Sequence, residues 1–290
     1  MSDLLLDALV AERDRDGGES AAPGPQIWQL PYPLVPYHPE SAPIIPNELV
    51  RCALFRVADP ASPRRSFSRH RLPIQAARNG YMEYSGEELR QDDRRVFMHA
   101  LSLEGDMPGT ATFRPRRFCR DIGWGTSNAA YEKLIDTLTR LKATCLLMFV
   151  PRIARQGAAV SLIARLEFVP DSKEIRVYFD REIAELFSDQ HYTRILRVYE
   201  DQLTRRSYLA SWLLGFYASH REPIAFPLDR LQSLCGDVTP RKEFRRKATL
   251  ALQQLVEVKF LESFSLTDGT VSCRRAITPP ESRSCPTGIA

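Results

Sequence analysis

Residues 240–247 read Pro-Arg-Lys-Glu-Phe-Arg-Arg-Lys, five basic side chains and one acidic one. Their net charge of +4 equals that of the whole 290-residue chain. The basic surplus is therefore local and not spread for solubility. Arginine can bond guanine O6 and N7 together through its planar fork, and both arginine and lysine neutralise phosphate. On the first turns of a helix that follows a tight turn, such a cluster has the chemistry to read duplex DNA. Periodicity puts it there. Phe244, Ala248, Ala251, Leu252 and Leu255 form an apolar stripe over 240–258, and Lys242, Arg245, Arg246, Thr249 and Gln253 lie off it. Thr239 is the expected N-cap and Pro240 the first helical residue. A basic helix face is commonly just solvated. This one follows a short helix over Leu228–Cys235 that Gly236 ends, which favours DNA contact. The candidates are Thr239, Arg241, Lys242, Arg245, Arg246 and Lys247.

Weaker donors lie upstream. Ser127 is the expected N-cap of a helix reaching Lys142, with Tyr131, Leu134, Ile135, Leu138 and Leu141 on one face. Ser127, Asn128, Lys133 and Arg140 are its exposed donors, but Glu132 and Asp136 offset them. Phosphate contact and a purely structural role are equally open for this helix. Arg114, Arg116, Arg117 and Arg120 cluster on the preceding short helix, where Arg116 and Arg117 suit a phosphate backbone. Arg274 and Arg275 end the last strand, where a hairpin wing can reach a groove. Arg64, Arg65, Arg69 and Arg71 read as a solvated basic loop.

Signals for catalysis are missing. The chain has no Gly-x-x-x-x-Gly-Lys loop, no His-Glu-x-x-His and no Gly-x-Ser-x-Gly. His38, His70, His99, His191 and His220 stand apart, and Asp92-Asp93 are adjacent and not disposed for paired acid–base work. No catalytic residue, metal or cofactor is expected. Cysteines at 52, 119, 145, 235, 273 and 285 lack Cys-x-x-Cys spacing, and several sit in apolar runs. They read as reduced thiols in a cytoplasmic protein. No apolar run approaches the roughly 18 residues that span a bilayer.

The positioning elements follow from pattern. Residues 1–46 read as a flexible arm, acidic at first and proline-rich over 23–46, with the folded part expected near Asn47. Arg71–Gln75 and Tyr81–Tyr84 flank Arg78-Asn79-Gly80, a hairpin signal. A helix is expected over Asp92–Leu103, a short one over Phe113–Ile122, and then the Ser127–Lys142 helix. Strand-like runs follow at Cys145–Val150, Val160–Val169 and Glu174–Phe179. The order recurs with a helix over Arg205–His220, then Leu228–Cys235, the basic helix, and strands Phe260–Leu266 and Thr270–Arg274 around Thr267-Asp268-Gly269. This implies an α+β chain of two tandem winged-helix (winged helix-turn-helix) domains, 47–185 and 186–276, with a flexible tail at 277–290. A winged-helix transcriptional regulator fits the same pattern.

Several segments resemble the TrfA family of replication initiators from broad-host-range IncP-type plasmids. They are Ala53-Leu-Phe55, Tyr84-Ser-Gly-Glu-Glu-Leu89, Phe118-Cys-Arg-Asp-Ile-Gly-Trp124, Tyr131–Thr144, Asp180-Arg-Glu-Ile183, Leu186-Phe187, His191-Tyr-Thr193, Tyr217-Ala-Ser-His-Arg-Glu-Pro223 and Leu234-Cys-Gly236. They run in order through roughly 45–275. The resemblance implies a non-enzymatic protein that binds directly repeated iterons in double-stranded origin DNA and opens the adjacent A·T-rich region, with single-stranded DNA of that region as a further partner. It also implies recruitment of the host replicative helicase and sliding clamp, self-association as a dimer, and copy control through pairing of iteron-bound molecules. The family's Gln-Leu-Ser-Leu-Phe clamp segment is altered here to Gln26-Ile-Trp-Gln-Leu-Pro-Tyr-Pro33, which reads more simply as a spacer.

Overall fold

The computed structural model describes residue 36 and residues 40–276, except 60, 76–79, 106, 151–157, 170, 188–190, 204–206 and 222–224. The expected arm before residue 36, the Gln26–Pro33 segment, the Arg78-Asn79 turn and the 277–290 tail lie outside the described residues. All described residues belong to one compact unit, 31–290.

Order begins earlier than the prolines suggest. Strand β1 (Ile44–Pro46) pairs antiparallel with β11 (Tyr192–Arg194), and Ile44 and Ile45 are fully buried. Pro43 still accepts a backbone bond from Ile195 N at 2.9 Å, since proline lacks only the donor. Helix α1 (Asn47–Val50) follows. Strands β2 (Phe55–Arg56) and β5 (Leu89–Arg90) pair in parallel, and between them run β3 (Ser66–Pro73) and β4 (Tyr81–Glu87). Of the supposed basic loop, Arg69 and Arg71 lie in strand β3 and Arg64 and Arg65 just before it, with a bulge between Phe67 and His70 where Arg69 takes φ +47°.

Helix α2 (Gln91–Leu101) leads to β6 (Thr110–Phe113), α3 (Pro115–Asp121) and α4 (Asn128–Lys142). After α4 come β7 (Cys145–Phe149), β8 (Ala158–Val160), β9 (Ile163–Val169) and β10 (Glu174–Phe179). The strand-like runs here split between two sheets. β7 and β8 complete a four-stranded sheet of order β3-β4-β7-β8, whereas β9 and β10 join β6 in the order β6-β10-β9. Sequence alternation marks a strand but does not name its partner, which here lies some 60 residues upstream.

Helices α5 (Arg181–Glu185) and α6 (Arg197–Glu200) flank β11 and connect to α7 (Tyr208–Ala218). Strand β12 (Phe226–Pro227), α8 (Leu228–Cys235), α9 (Arg241–Glu257), β13 (Leu261–Thr267) and β14 (Thr270–Arg275) complete the described chain, with strand order β12-β14-β13. Helix, short strand, two helices and a hairpin whose last strand sits centrally therefore occur twice. Among the described residues, only the first unit carries the β7–β8 insertion.

The two units touch through polar contacts as well as apolar ones. Arg94 on α2, 1% exposed, meets Glu200 at 2.5 Å and Ser211 at 2.7 Å. Helix α7 approaches closely because Gly215 has no side chain; a Cβ there would lie 2.8 Å from Arg94 Nη1 and from Val50 Cγ2. Arg56 donates to Gly236 O at 2.6 Å, and Val57 N to Cys235 O at 2.8 Å.

Candidate nucleic-acid interface

The turn before α9 is built from four residues. Gly236 ends α8 in the left-handed region at φ +71°, as a helix C-terminus favours. Asp237, nearly buried, accepts from both Thr239 N (2.7 Å) and Thr239 Oγ1 (2.5 Å). Gln232 Nε2 donates to Thr239 O at 2.6 Å. Thr239 is thereby tied to the turn and does not cap the helix. The N-cap is Pro240, at φ −54° and ψ 144°, and its carbonyl accepts from Phe244 N at 2.9 Å. A fixed proline φ presets the chain direction where Thr239 was expected to act.

From this start α9 buries Phe244, Ala248, Ala251, Leu252 and Leu255. At about 100° per residue, Lys242, Arg245, Arg246, Thr249 and Gln253 share an arc of roughly 100° on the far side. Lys242, Arg245 and Arg246 are exposed, and among the described residues none of the three meets a carboxylate. The other two cations flank that arc and are paired. Arg241 Nε lies 2.9 Å from Asp229, and Lys247 Nζ lies 3.5 Å from Asp237 and 3.7 Å from Glu243. The five expected cations therefore fall into three free and two tethered ones. Glu243 in the first turn partly offsets the unfavourable meeting of cations with the positive end of the helix dipole.

The hairpin β13–β14 packs beside α9, and a Cβ on Gly269 at its tip would lie 3.3 Å from Arg241 Nη2. Arg274 is 73% exposed and 3.0 Å from Glu262. Arg275 points elsewhere. Its guanidinium sits 5.5 Å from the Phe260 ring centroid, and burial pulls its pKa down. A residue one place along a strand turns to the other face, so these neighbours cannot both serve the groove.

Helix α4 has a different surface. Ser127 Oγ accepts from Ala130 N at 3.3 Å, as its N-cap role requires, and Asn128 is exposed. Lys133 is held twice, by Asp92 at 2.6 Å and over the Trp124 ring at 3.9 Å. Arg140 was expected among the exposed donors, but its side chain is 12% exposed and bonds Asp93 at 2.6 Å and Glu87 at 3.2 Å. Burial alone would lower its pKa, but Asp93 and Glu87 raise it. Arg140 is a structural cation, unavailable to phosphate. Tyr131, expected on the buried face, is 44% exposed. The one sequence signal for these ties is the acidic pair Asp92-Asp93, which opens α2. On α3, Arg116 is exposed, and Arg117, 67% exposed, sits 3.5 Å from Asp121.

Among the described residues one trio has donor types for a cation: Glu40, His99 and Asp121, with ligand atoms within 4.8 Å of one another. Arg197 donates to His99 Nδ1 at 2.6 Å. That leaves the imidazole proton on Nε2, so neither nitrogen offers a lone pair. Burial, followed by Arg197, Arg95 and Arg117, pushes the His99 pKa down to about 3. Both carboxylates already have a cation, Arg117, 4.0 Å from Glu40 and 3.5 Å from Asp121.

A sequence profile described as "TrfA protein" matches residues 27–275. The plasmid replication initiator protein TrfA of Escherichia coli is 28% identical over 246 residues, 82% of this chain and 63% of that protein. The chain thus spans less than two thirds of that relative's length. Two solved structures share the fold. Domains 2 and 3 of RctB align with TM-score 0.54 at 15% identity, over 81% of this chain and 99% of that one. The Pi initiator protein, crystallised in complex with iteron DNA, aligns with TM-score 0.51 at 13% identity, over 82% and 98%.

Proposed function

The chain belongs to the TrfA protein family, and from that premise we propose that it is a plasmid replication initiator binding directly repeated iterons at an origin. The observation that carries this reading is the unpaired cationic arc of Lys242, Arg245 and Arg246 on α9. Both helix–helix–hairpin units are winged helix-turn-helix domains, in tandem over 47–185 and 186–276. Helix α9 lies in the major groove, its free arginines able to fork onto guanine edges. Arg241 exchanges its weak exposed pair with Asp229 for phosphate, since such a pair is worth roughly 0–1 kcal/mol, and Lys247 reaches phosphate by leaving Glu243 and the buried Asp237. Arg274 at the hairpin and the turn at Thr239 face the flanking backbone.

The first unit holds phosphate through Arg116, Arg117, Ser127 and Asn128 and does not read bases. Lys133 would have to leave Asp92 and Trp124 to join them. With the second unit fixed on an iteron, the first strains the adjacent A·T-rich duplex. The chain acts without catalysis, in the cytoplasm, as a platform for the host replicative helicase and sliding clamp, and it self-associates as a dimer.

Footprinting of an origin fragment by the purified chain without ATP tests the reading. Protection of several direct repeats, each about two helical turns long, beside an A·T-rich tract is expected. Protection of one inverted pair would indicate a transcriptional regulator instead. Log affinity should fall with log salt at about −0.9 per phosphate neutralised.

A further inference from the structure

The last carbonyls of a helix have no partner inside it and must find donors elsewhere. Helix α8 ends directly in the turn before α9, and there the other unit supplies the donors. Val57 N donates to Cys235 O at 2.8 Å, and Arg56 Nη2 to Gly236 O at 2.6 Å. The Arg56 side chain lies directly against Gly236. A Cβ on that glycine would stand 2.9 Å from Arg56 Cζ and 3.0 Å from its Cγ and Nε. The next residue, Asp237, ties down Thr239 and Lys247. Arg56 of the first unit thus touches the segment that sets where the reading helix of the second begins.

Arg56 is itself held from behind. Strand β2 pairs with β5, placing Arg56 opposite Arg90. Gln91 of α2 donates to Phe55 O, and the Phe55 ring lies 6.2 Å from that of Phe97 on the same helix. The Arg56 guanidinium sits 5.5 Å from the Phe67 ring centroid. A path of direct contacts therefore runs from α2 through β2 to the Gly236 turn. Arg94 also joins the units, but it ends on Glu200 of α6 and Ser211 of α7, not on the turn. Packing alone is a poor account of Arg56. It is 8% exposed, and its Nε is buried without a hydrogen-bond partner. A buried guanidinium left partly unbonded costs stability, and folds keep such exceptions mainly where function needs them.

We propose that Arg56 is a positioning residue for DNA reading. By gripping the Gly236 turn it fixes the angle and spacing between α9 and the phosphate contacts of the first unit, so that one chain meets one repeat in one register. Arg56 itself touches no DNA. The proposal rests on the initiator reading for the repeat. Two binding surfaces held rigidly gain from each other only on a target that matches their spacing, whereas loosely joined ones tolerate a mismatch.

Titration of the full chain against two duplexes tests it. One carries the repeat protected in the footprint. The other carries the same repeat with one base pair inserted between the stretches covered by the two units, which rotates them by about 34° because a turn takes about 10.5 base pairs. The parent chain should bind the interrupted repeat about 10-fold or more less tightly, since both units can no longer engage together. Arg56→Ala should bind the intact repeat about 10-fold more weakly, the scale of one hydrogen bond to a charged group, and should lose most of the insertion penalty. Arg56→Lys keeps a donor for Gly236 O and should restore part of that penalty. The penalty is a ratio of two affinities measured on one preparation, so partial unfolding cancels and a merely structural role would leave it unchanged. A full penalty in Arg56→Ala, or no penalty in the parent chain, overturns the proposal and leaves the initiator reading standing. No protected repeat with the parent chain overturns both.

Discussion

In the first unit, Lys133 and Arg140 of α4 end on Asp92, Asp93 and Glu87; in the second, Lys242, Arg245 and Arg246 of α9 end in solvent. The two helices occupy the same place in the same element order, each after a short helix and before a hairpin. Both sequences carry cations off the apolar stripe of the helix. What separates them is the company brought by the helix packed behind. Helix α2 begins with Asp92 and Asp93 and buries Arg94 and His99, whereas α7 buries Leu209, Trp212, Leu213, Phe216 and Tyr217. An apolar partner leaves the cations of α9 free for an external anion. A charged partner consumes those of α4. Position in the fold is therefore insufficient to assign DNA reading; the free charge is what favours α9 in the proposed reading.

The comparison is tested most severely on the free arc. Replacing Arg245 and Arg246 together by Ala should cost about 2–6 kcal/mol of specific affinity, since one good arginine–base pair gives about 1–3 kcal/mol of discrimination. Neither side chain has a carboxylate partner to lose, so the thermal midpoint should hold. Affinity measured by titration of an origin duplex, with a melt alongside, checks both halves. Retained affinity would put the reading surface elsewhere.

The reverse pattern is expected for Arg140→Ala. Asp93, fully buried, would keep Arg64 at 2.7 Å but lose Arg140 at 2.6 Å. A buried carboxylate stripped of one of two cations should cost about 1–3 kcal/mol of stability, with duplex affinity unaltered. Chemical denaturation reads the first and the same titration the second. A loss of affinity without a loss of stability would return Arg140 to the DNA surface.

This contrast also marks the limit of what sequence could convey. The face of α9 was legible because its determinants lie within one helix: Phe244, Ala248, Ala251, Leu252 and Leu255 repeat at helical spacing, and all five are buried. The fate of Arg140 was not, because Glu87 and Asp93 lie 53 and 47 residues away and meet it only after α2 and α4 pack. β7 was visible as a strand but not as a neighbour of β4, for the same reason. Pro240 displaced Thr239 as cap because Asp237 engaged the threonine hydroxyl, a side-chain competition that the capping preference alone does not register. Tyr131 lies at the edge of the buried stripe of α4, where a shift of one helical position exposes it.

Acid should act on the charged unit. In the unfolded chain His99 takes up a proton near 6.5; in the fold it stays neutral to about 3. Between those values the unfolded state binds more protons, so stability falls as pH falls, by at most about 1.4 kcal/mol per pH unit. Burial alone would raise the pKa of Glu200, but Arg94 and its neighbours hold it below the ordinary range. Its contribution is present above the ordinary carboxylate value and is lost at still lower pH. Melts across pH 7 to 5 should show the slope, and His99→Gln should flatten it. His70 and His220 shift the same way, each chiefly through burial, so some slope will remain. An unchanged slope in the variant would mean that His99 is not the proton acceptor.

The smallest effect concerns Lys133, the one tethered cation of α4 that keeps an exposed side chain. Its bond to Asp92 is 2.6 Å long and its ammonium caps the Trp124 ring, yet 47% of the side chain faces solvent. An exposed pair of this kind is worth roughly 0–1 kcal/mol, so Lys133→Ala should move stability by no more than that. Its effect on duplex affinity depends on whether the lysine leaves Asp92 for a phosphate. If it stays, affinity is unchanged and the salt slope is identical. If it leaves, the slope becomes shallower by about 0.9, the signature of one lost phosphate contact. The expected result is an identical slope. A shallower one would show that α4 gives up its internal partner when DNA arrives, so that the two units differ in how tightly they hold their cations and not in whether they can spend them on DNA.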